Sequence, residues 1–166
     1  MKSTVNNLSI RKLAARGAGR APRKAGLQQC LIVASDPVRQ SMLVDAACDA
    51  GWETLIAPDA AAALVLLSRE FIGLAVVDLE GRQATEFTSL FERLRRTGAL
   101  LSLVCGNEGN VQEEIYVRQT NPWLYLPGVQ LGAELSTLLQ QGRQLSERMQ
   151  PSLGLVAKPR NLRRSG

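Results

Sequence analysis

Short apolar runs of strand length alternate five times with segments of helical period, and this alternation constrains the fold more than any other feature of the chain. The runs are Cys30-Leu-Ile-Val-Ala34, Trp52–Ala57, Leu74-Ala-Val-Val77, Leu100–Val104 and Trp123-Leu-Tyr-Leu126. After the first run, Ser35 or Asp36 can cap a helix whose first turn accepts Pro37. Leu43, Ala46, Ala47 and Ala50 then recur at helical spacing until Gly51, a natural stop. Asp59 is placed to cap an Ala- and Leu-rich helix from Ala60 to Glu70, and Phe87, Leu90, Phe91 and Leu94 mark a third helix. A weaker helical stretch covers Val111 to Gln119. Leu135, Leu138, Leu139, Leu145 and Met149 stripe a final helix, weakened at Gly142. Strands without polar alternation indicate a parallel sheet buried on both faces by helices, joined by right-handed crossovers. In such a sheet functional groups gather at the carboxyl ends of the strands. That rule brings Ser35, Asp36, Asp78, Cys105, Leu126 and Pro127 to one rim.

Charge divides the chain into three parts. Residues 1–27 carry seven basic side chains and no acid, and residues 150–166 carry four more, again with no acid. Residues 28–149 hold the other nine bases and all fifteen acids, a net charge of 9 − 15 = −6. The expectation is a basic, Gly/Ala/Arg-rich flexible arm (1–27), a folded acidic domain (28–149) and a basic tail (150–166). Within the arm, residues 9–16 have the pattern of two helical turns, with Ile10, Leu13 and Ala14 on one face. The basic ends suit nucleic acid, an anionic membrane face or an acidic partner. No aromatic residue interleaves with those charges, so base stacking has no support. The Arg-rich, acid-free start also has the composition of a transit peptide.

Several chemistries lack their usual residues. The chain has no histidine, the commonest general base and transition-metal ligand. Its three cysteines (Cys30, Cys48, Cys105) form no C-x-x-C pair and read as reduced, mostly buried thiols. No apolar run approaches the roughly 18 residues that span a bilayer. No G-x-G-x-x-G follows the first strand, which leaves a dinucleotide site without support. The chain reads as a signalling or binding module rather than an enzyme.

The landmarks from Pro37 to Asp78 resemble, without gaps, those of a response-regulator receiver domain of the CheY-like type. Pro37 follows the first strand, Leu43 lies on the first helix and Gly51 ends it. Ala57 and the pair Ala63-Leu64 match the family's alanine and Ala-Leu positions. Val76-Val77-Asp78-Leu79 matches the context of the phosphoacceptor aspartate. The resemblance implies a CheY/flavodoxin-like fold: a five-stranded parallel sheet in the order 2-1-3-4-5, with helices on both faces. It implies a cytoplasmic two-component pathway, with a histidine kinase or an output protein as partner. It also implies a Mg²⁺ ion held by an acidic pair, because an anionic nucleophile meeting a phosphoryl group needs cations to offset the accumulating charge.

The departures bear on that chemistry. Ala34 and Ser35 stand where the acidic pair belongs, with Asp36 one position late. Cys105 replaces the family's Ser/Thr, and Leu126 replaces the lysine before Pro127. The chain therefore reads as a degenerate receiver, or pseudo-receiver, that binds a protein partner through its rim or its fourth and fifth helices without phosphorylation. The alternative is a working phosphorelay receiver phosphorylated on Asp78. In that case Asp36 and Asp78 are the Mg²⁺ candidates; otherwise Asp36 is a helix cap. Cys105 is either a small buried thiol or a redox sensor at the rim.

Overall fold

The structure, a computed structural model, describes residues 28–128 and 133–149. The expected arm over 1–27, including its two helical turns at 9–16, and the expected tail over 150–166 lie outside the described residues. In chain order the elements are β1 (Gln29–Val33), α1 (Pro37–Asp49), β2 (Glu53–Ala57), α2 (Ala60–Arg69), β3 (Ile72–Asp78), α3 (Thr88–Arg96), β4 (Leu101–Gly106), α4 (Val111–Gln119), β5 (Leu124–Pro127) and α5 (Ala133–Met149). The strands form one parallel sheet in the order 2-1-3-4-5, as the resemblance implies.

The local chemistry of the chain explains these boundaries. Asp36 caps α1 by accepting the Arg39 amide at 2.8 Å, and Asp59 caps α2 by accepting the Ala62 amide at 2.8 Å. Gly51 ends α1 at φ 83°, a left-handed conformation that glycine adopts without strain. β3 starts two residues earlier than its apolar run suggests: Ile72 pairs with Gln29, Gly73 is the extra residue at a register shift, and all seven residues of the strand are buried. β5 runs from Leu124 to Pro127; a proline is tolerated there because the strand lies at the edge of the sheet. A short 3-10 turn, Ala84–Phe87, precedes α3.

Gly142 does not interrupt α5. The helix passes so close to Trp123 that a Cβ at position 142 would lie 3.0 Å from the indole ring, and a Cβ at Gly73 would lie 2.6 Å from Ser146 Oγ. Small residues thus let α5 settle onto the sheet, and the helix propensity lost at Gly142 is offset by that packing. The Trp52 indole N–H donates to the Leu139 carbonyl of α5 at 2.9 Å, so the one polar group of this buried ring is satisfied.

Strand periodicity divides the core in two. Leu31, Val33, Ala75, Val77 and Val104 face α2, α3 and α4, where Leu90, Phe91, Leu94 and Val117 complete the packing. Cys30, Ile32, Leu74, Val76, Leu103 and Cys105 face α1 and α5, against Leu43, Ala47, Leu135 and Leu139. In β3 the alternation Leu74, Val76, Asp78 continues to the end of the strand. Asp78 therefore belongs to the α1 face, and this determines what it meets.

Candidate functional site: the carboxyl-end rim of the sheet

Parallel pairing aligns three of the sequence-predicted site residues. Asp78 of β3 is the register partner of Cys105 of β4, and Cys105 is the register partner of Leu126 of β5. Ser35 and Asp36 follow β1, the neighbour of β3 on its other side, and both are exposed. Pro127 closes β5 beside Gly106. These residues lie along one rim, but its chemistry is set by a residue that the sequence pattern does not single out.

That residue is Arg39, in the first turn of α1. Its guanidinium takes both oxygens of the Asp78 carboxylate, with Nε to Oδ2 at 2.7 Å and Nη2 to Oδ1 at 2.8 Å. The Asp78 side chain is 1% exposed and that of Arg39 is 21% exposed. A two-pronged pair of this kind is the strongest form of side-chain ion pairing, because geometry and charge act together. The hydrogen bonds to Asp78 raise the Arg39 pKa above its ordinary value, so the cation is permanent. Asp36 is engaged elsewhere, as the cap of the same helix.

These contacts test the fit of a divalent cation. Mg²⁺ requires near-octahedral oxygen ligation, usually from carboxylates and water. Both Asp78 oxygens already accept from Arg39, Asp36 caps α1, and Ala34 has no donor atom. Among the described residues no three His, Cys, Asp or Glu side chains converge on one point. The residues present do not fit the ion, and an organic cation occupies the coordinating face of Asp78.

Cys105 and Leu126 complete the row without adding a donor for phosphoryl chemistry. Burial pushes the Cys105 thiol up to about 12, and the neighbouring Asp78 carboxylate adds to the shift. Burial raises Cys30 as well, whereas Cys48 is exposed, so two of the three thiols match the buried reading. Thiolate is the reactive species, so a thiol-specific disulfide reagent at neutral pH is expected to modify Cys48 alone in the folded protein. Cys30 and Cys105 should react only after denaturation. Labelling of Cys105 as fast as Cys48 would restore its redox-sensor reading.

A second polar cluster, also unforeseen, flanks the rim at α4. Glu113 is buried, and its Oε1 accepts the Asn107 amide at 2.7 Å and the Tyr125 hydroxyl at 3.0 Å. Its Oε2 accepts Asn107 Nδ2 at 2.7 Å, and the same Nδ2 reaches the Leu79 carbonyl at 3.2 Å. Burial and the facing Glu113 carboxylate push the Tyr125 phenol well above its usual range, so it stays a donor. The cluster ties the β4–α4 loop to β5 and to the residue after Asp78.

No protein-family model matches the chain, and no curated protein matches it in sequence. Solved structures do. A CheY-like response-regulator receiver protein from Methanospirillum hungatei superposes with a TM-score of 0.61 at 18% identity, covering 74% of this chain and 98% of that one. An orphan response regulator of H. pylori gives 0.57 at 12% identity over 72% of this chain and 96% of that one. The receiver domain of a Francisella response regulator gives 0.60 at 17% identity over 74% and 99%. The chain has the CheY-like receiver fold, as the resemblance implies. Among the described residues no helix is long and apolar enough to cross a membrane.

Proposed function

We propose that this chain is a receiver-fold signalling domain that works as a phosphorylation-independent protein-interaction module. The observation that carries the reading is the two-pronged Arg39–Asp78 pair. A phosphoacceptor needs a free carboxylate oxygen for in-line attack, and it needs cations aimed at the incoming phosphoryl oxygens. Here both oxygens of Asp78 are hydrogen-bonded, and the cation is aimed at the nucleophile itself. Leu126 and Cys105, the register neighbours along the rim, supply no charge to compensate. Removing one preorganised electrostatic group costs on the order of 10² to 10³ in rate. Arg39 also makes an internal substitute for the bond that a metal would form across the rim, so the rim holds one arrangement without a covalent signal.

The partner is a signalling protein, and its contact with this domain is constitutive. The test is intact-mass measurement after incubation with acetyl phosphate and Mg²⁺, beside Asp78→Asn and beside an active receiver. The expected result is no mass gain on this chain while the control is modified. A phosphoryl-sized gain absent from Asp78→Asn would replace this reading with that of a phosphorelay receiver whose Arg39 moves aside.

A further inference from the structure

We propose that the outer stripe of α1 is a docking surface for this chain's own residues 9–16, which bind it in cis. The stripe has two parts. Val38 and Met42, one helical turn apart near the rim, are 67% and 41% exposed. Asp45 and Asp49 continue the line towards the carboxyl end of the helix; both are exposed, and among the described residues neither side chain has a hydrogen-bond or ion-pair partner. Like charges four residues apart repel, and carboxylates at a helix carboxyl end oppose the helix dipole. α1 carries no cation in its last turn to offset them. Arg143 of α5 packs against Gly51 at that end, but its guanidinium pairs with Glu147 at 3.2 Å. The stripe thus combines an uncovered apolar patch with uncompensated negative charge.

Residues 9–16 are complementary to its charge: Lys12 and Arg16 are four apart, as Asp45 and Asp49 are. The connection also reaches. α1 runs antiparallel to β1, so its Asp49 end lies near Gln28, where the described chain begins; Gln28 accepts the Glu53 amide just beyond that end. The eleven residues 17–27 extend to at most about 36 Å. The whole of α1, thirteen residues, is about 20 Å long. Entering at the Asp49 end, the segment would set Arg16 by Asp49 and Lys12 by Asp45. Tethering through so short a connection gives an effective concentration near the millimolar range, so weak pairs suffice. The exposed pair Val111 and Ile115 on α4 is a poorer candidate: Glu114 is already paired with Arg118 at 2.7 Å, and Glu113 is buried.

The lysine distribution makes a direct test available. All four lysines (Lys2, Lys12, Lys24, Lys158) lie outside the described residues, so a zero-length carbodiimide reagent can join domain carboxylates only to the ends of the chain. With the full chain at low salt, the expected product is an amide between Lys12 and Asp45 or Asp49. It should form within one molecule in a mixture of light and ¹⁵N-labelled protein. It should fall to background at high salt, while Asp45→Asn/Asp49→Asn should remove that product without new ones at other carboxylates. Lys12 products spread over Asp59, Glu92 and Glu134 would overturn the proposal, as would no Lys12 product at all. Mixed-label products would overturn the cis arrangement in favour of a second copy of the chain.

Discussion

Arg39→Ala is expected to lower the stability of the domain by about 3 kcal/mol, because it leaves the Asp78 carboxylate buried without a counter-charge. The value lies at the low end for breaking a buried pair, since Arg39 itself keeps some contact with solvent. That asymmetry yields a sharper expectation. Asp78→Asn should cost less, about 1 to 2 kcal/mol, because the orphaned guanidinium can turn towards water whereas the orphaned carboxylate cannot. Arg39→Lys should fall between wild type and Arg39→Ala, keeping the charge but losing the planar fork. The double variant Arg39→Ala/Asp78→Asn should be more stable than the sum of the two single changes implies, with a coupling of about 1 to 3 kcal/mol. Urea denaturation of wild type and the four variants measures this. If Arg39→Ala fell within about 0.5 kcal/mol of wild type, a surface-like effect, the pair would not exist in solution and the central argument for a locked rim would fail.

A strong internal pair would give the proposed constitutive function a physical meaning. A switch requires two arrangements separated by a few kcal/mol, so that a modification can move the balance. The Arg39–Asp78 pair biases the β1–α1 and β3 ends of the rim towards one of them. Binding through this surface should therefore be insensitive to phosphate donors and sensitive to whatever covers α1.

Much of this could be read from the sequence, and what could not has particular causes. The three inner strands were legible because strands buried on both faces become continuous apolar runs. Even the face of Asp78 follows from the alternation Leu74, Val76, Asp78. Boundaries at Ile72 and Leu124 shifted because Gly73 and Trp123 answer to contacts with α5 rather than to local pattern. Arg39 left a signal of its own. It is the only basic residue between positions 28 and 68, and it lies in a first helical turn, where the dipole disfavours a cation. Nothing local, however, decides whether a long, flexible side chain turns inward to the rim or outward to water; the crossover geometry that sets α1 over β3 decides it. Glu113 was obscured differently. Beside Glu114 it reads as part of a solvated face, and only its phase with Val117, four residues on and buried, marks it as inward.

Glu113→Ala is expected to cost about 3 kcal/mol, comparable with the loss of Arg39, because it strips partners from three donors at once. The Asn107 amide, Asn107 Nδ2 and the Tyr125 hydroxyl all donate to Glu113, and only Nδ2 keeps a second acceptor, the Leu79 carbonyl. Glu113→Gln keeps the size and one acceptor, and should cost about 1 kcal/mol. Tyr125→Phe removes one donor and leaves the carboxylate two others, so its effect should be similarly small. The geometry behind this ordering is tight. At Gly106 any Cβ would collide with the Tyr125 ring, so the absence of a side chain there makes room for the phenol. Amide hydrogen exchange reads the consequence directly: in Glu113→Ala, protection should fall first in 106–111 and then in α4, while β1 and α1 keep theirs. Loss confined to α4, with an unchanged loop, would mean that Glu113 supports the helix alone. Loss through the loop would mean that Glu113 holds the β4–α4 side of the rim, on the flank opposite the Arg39–Asp78 pair.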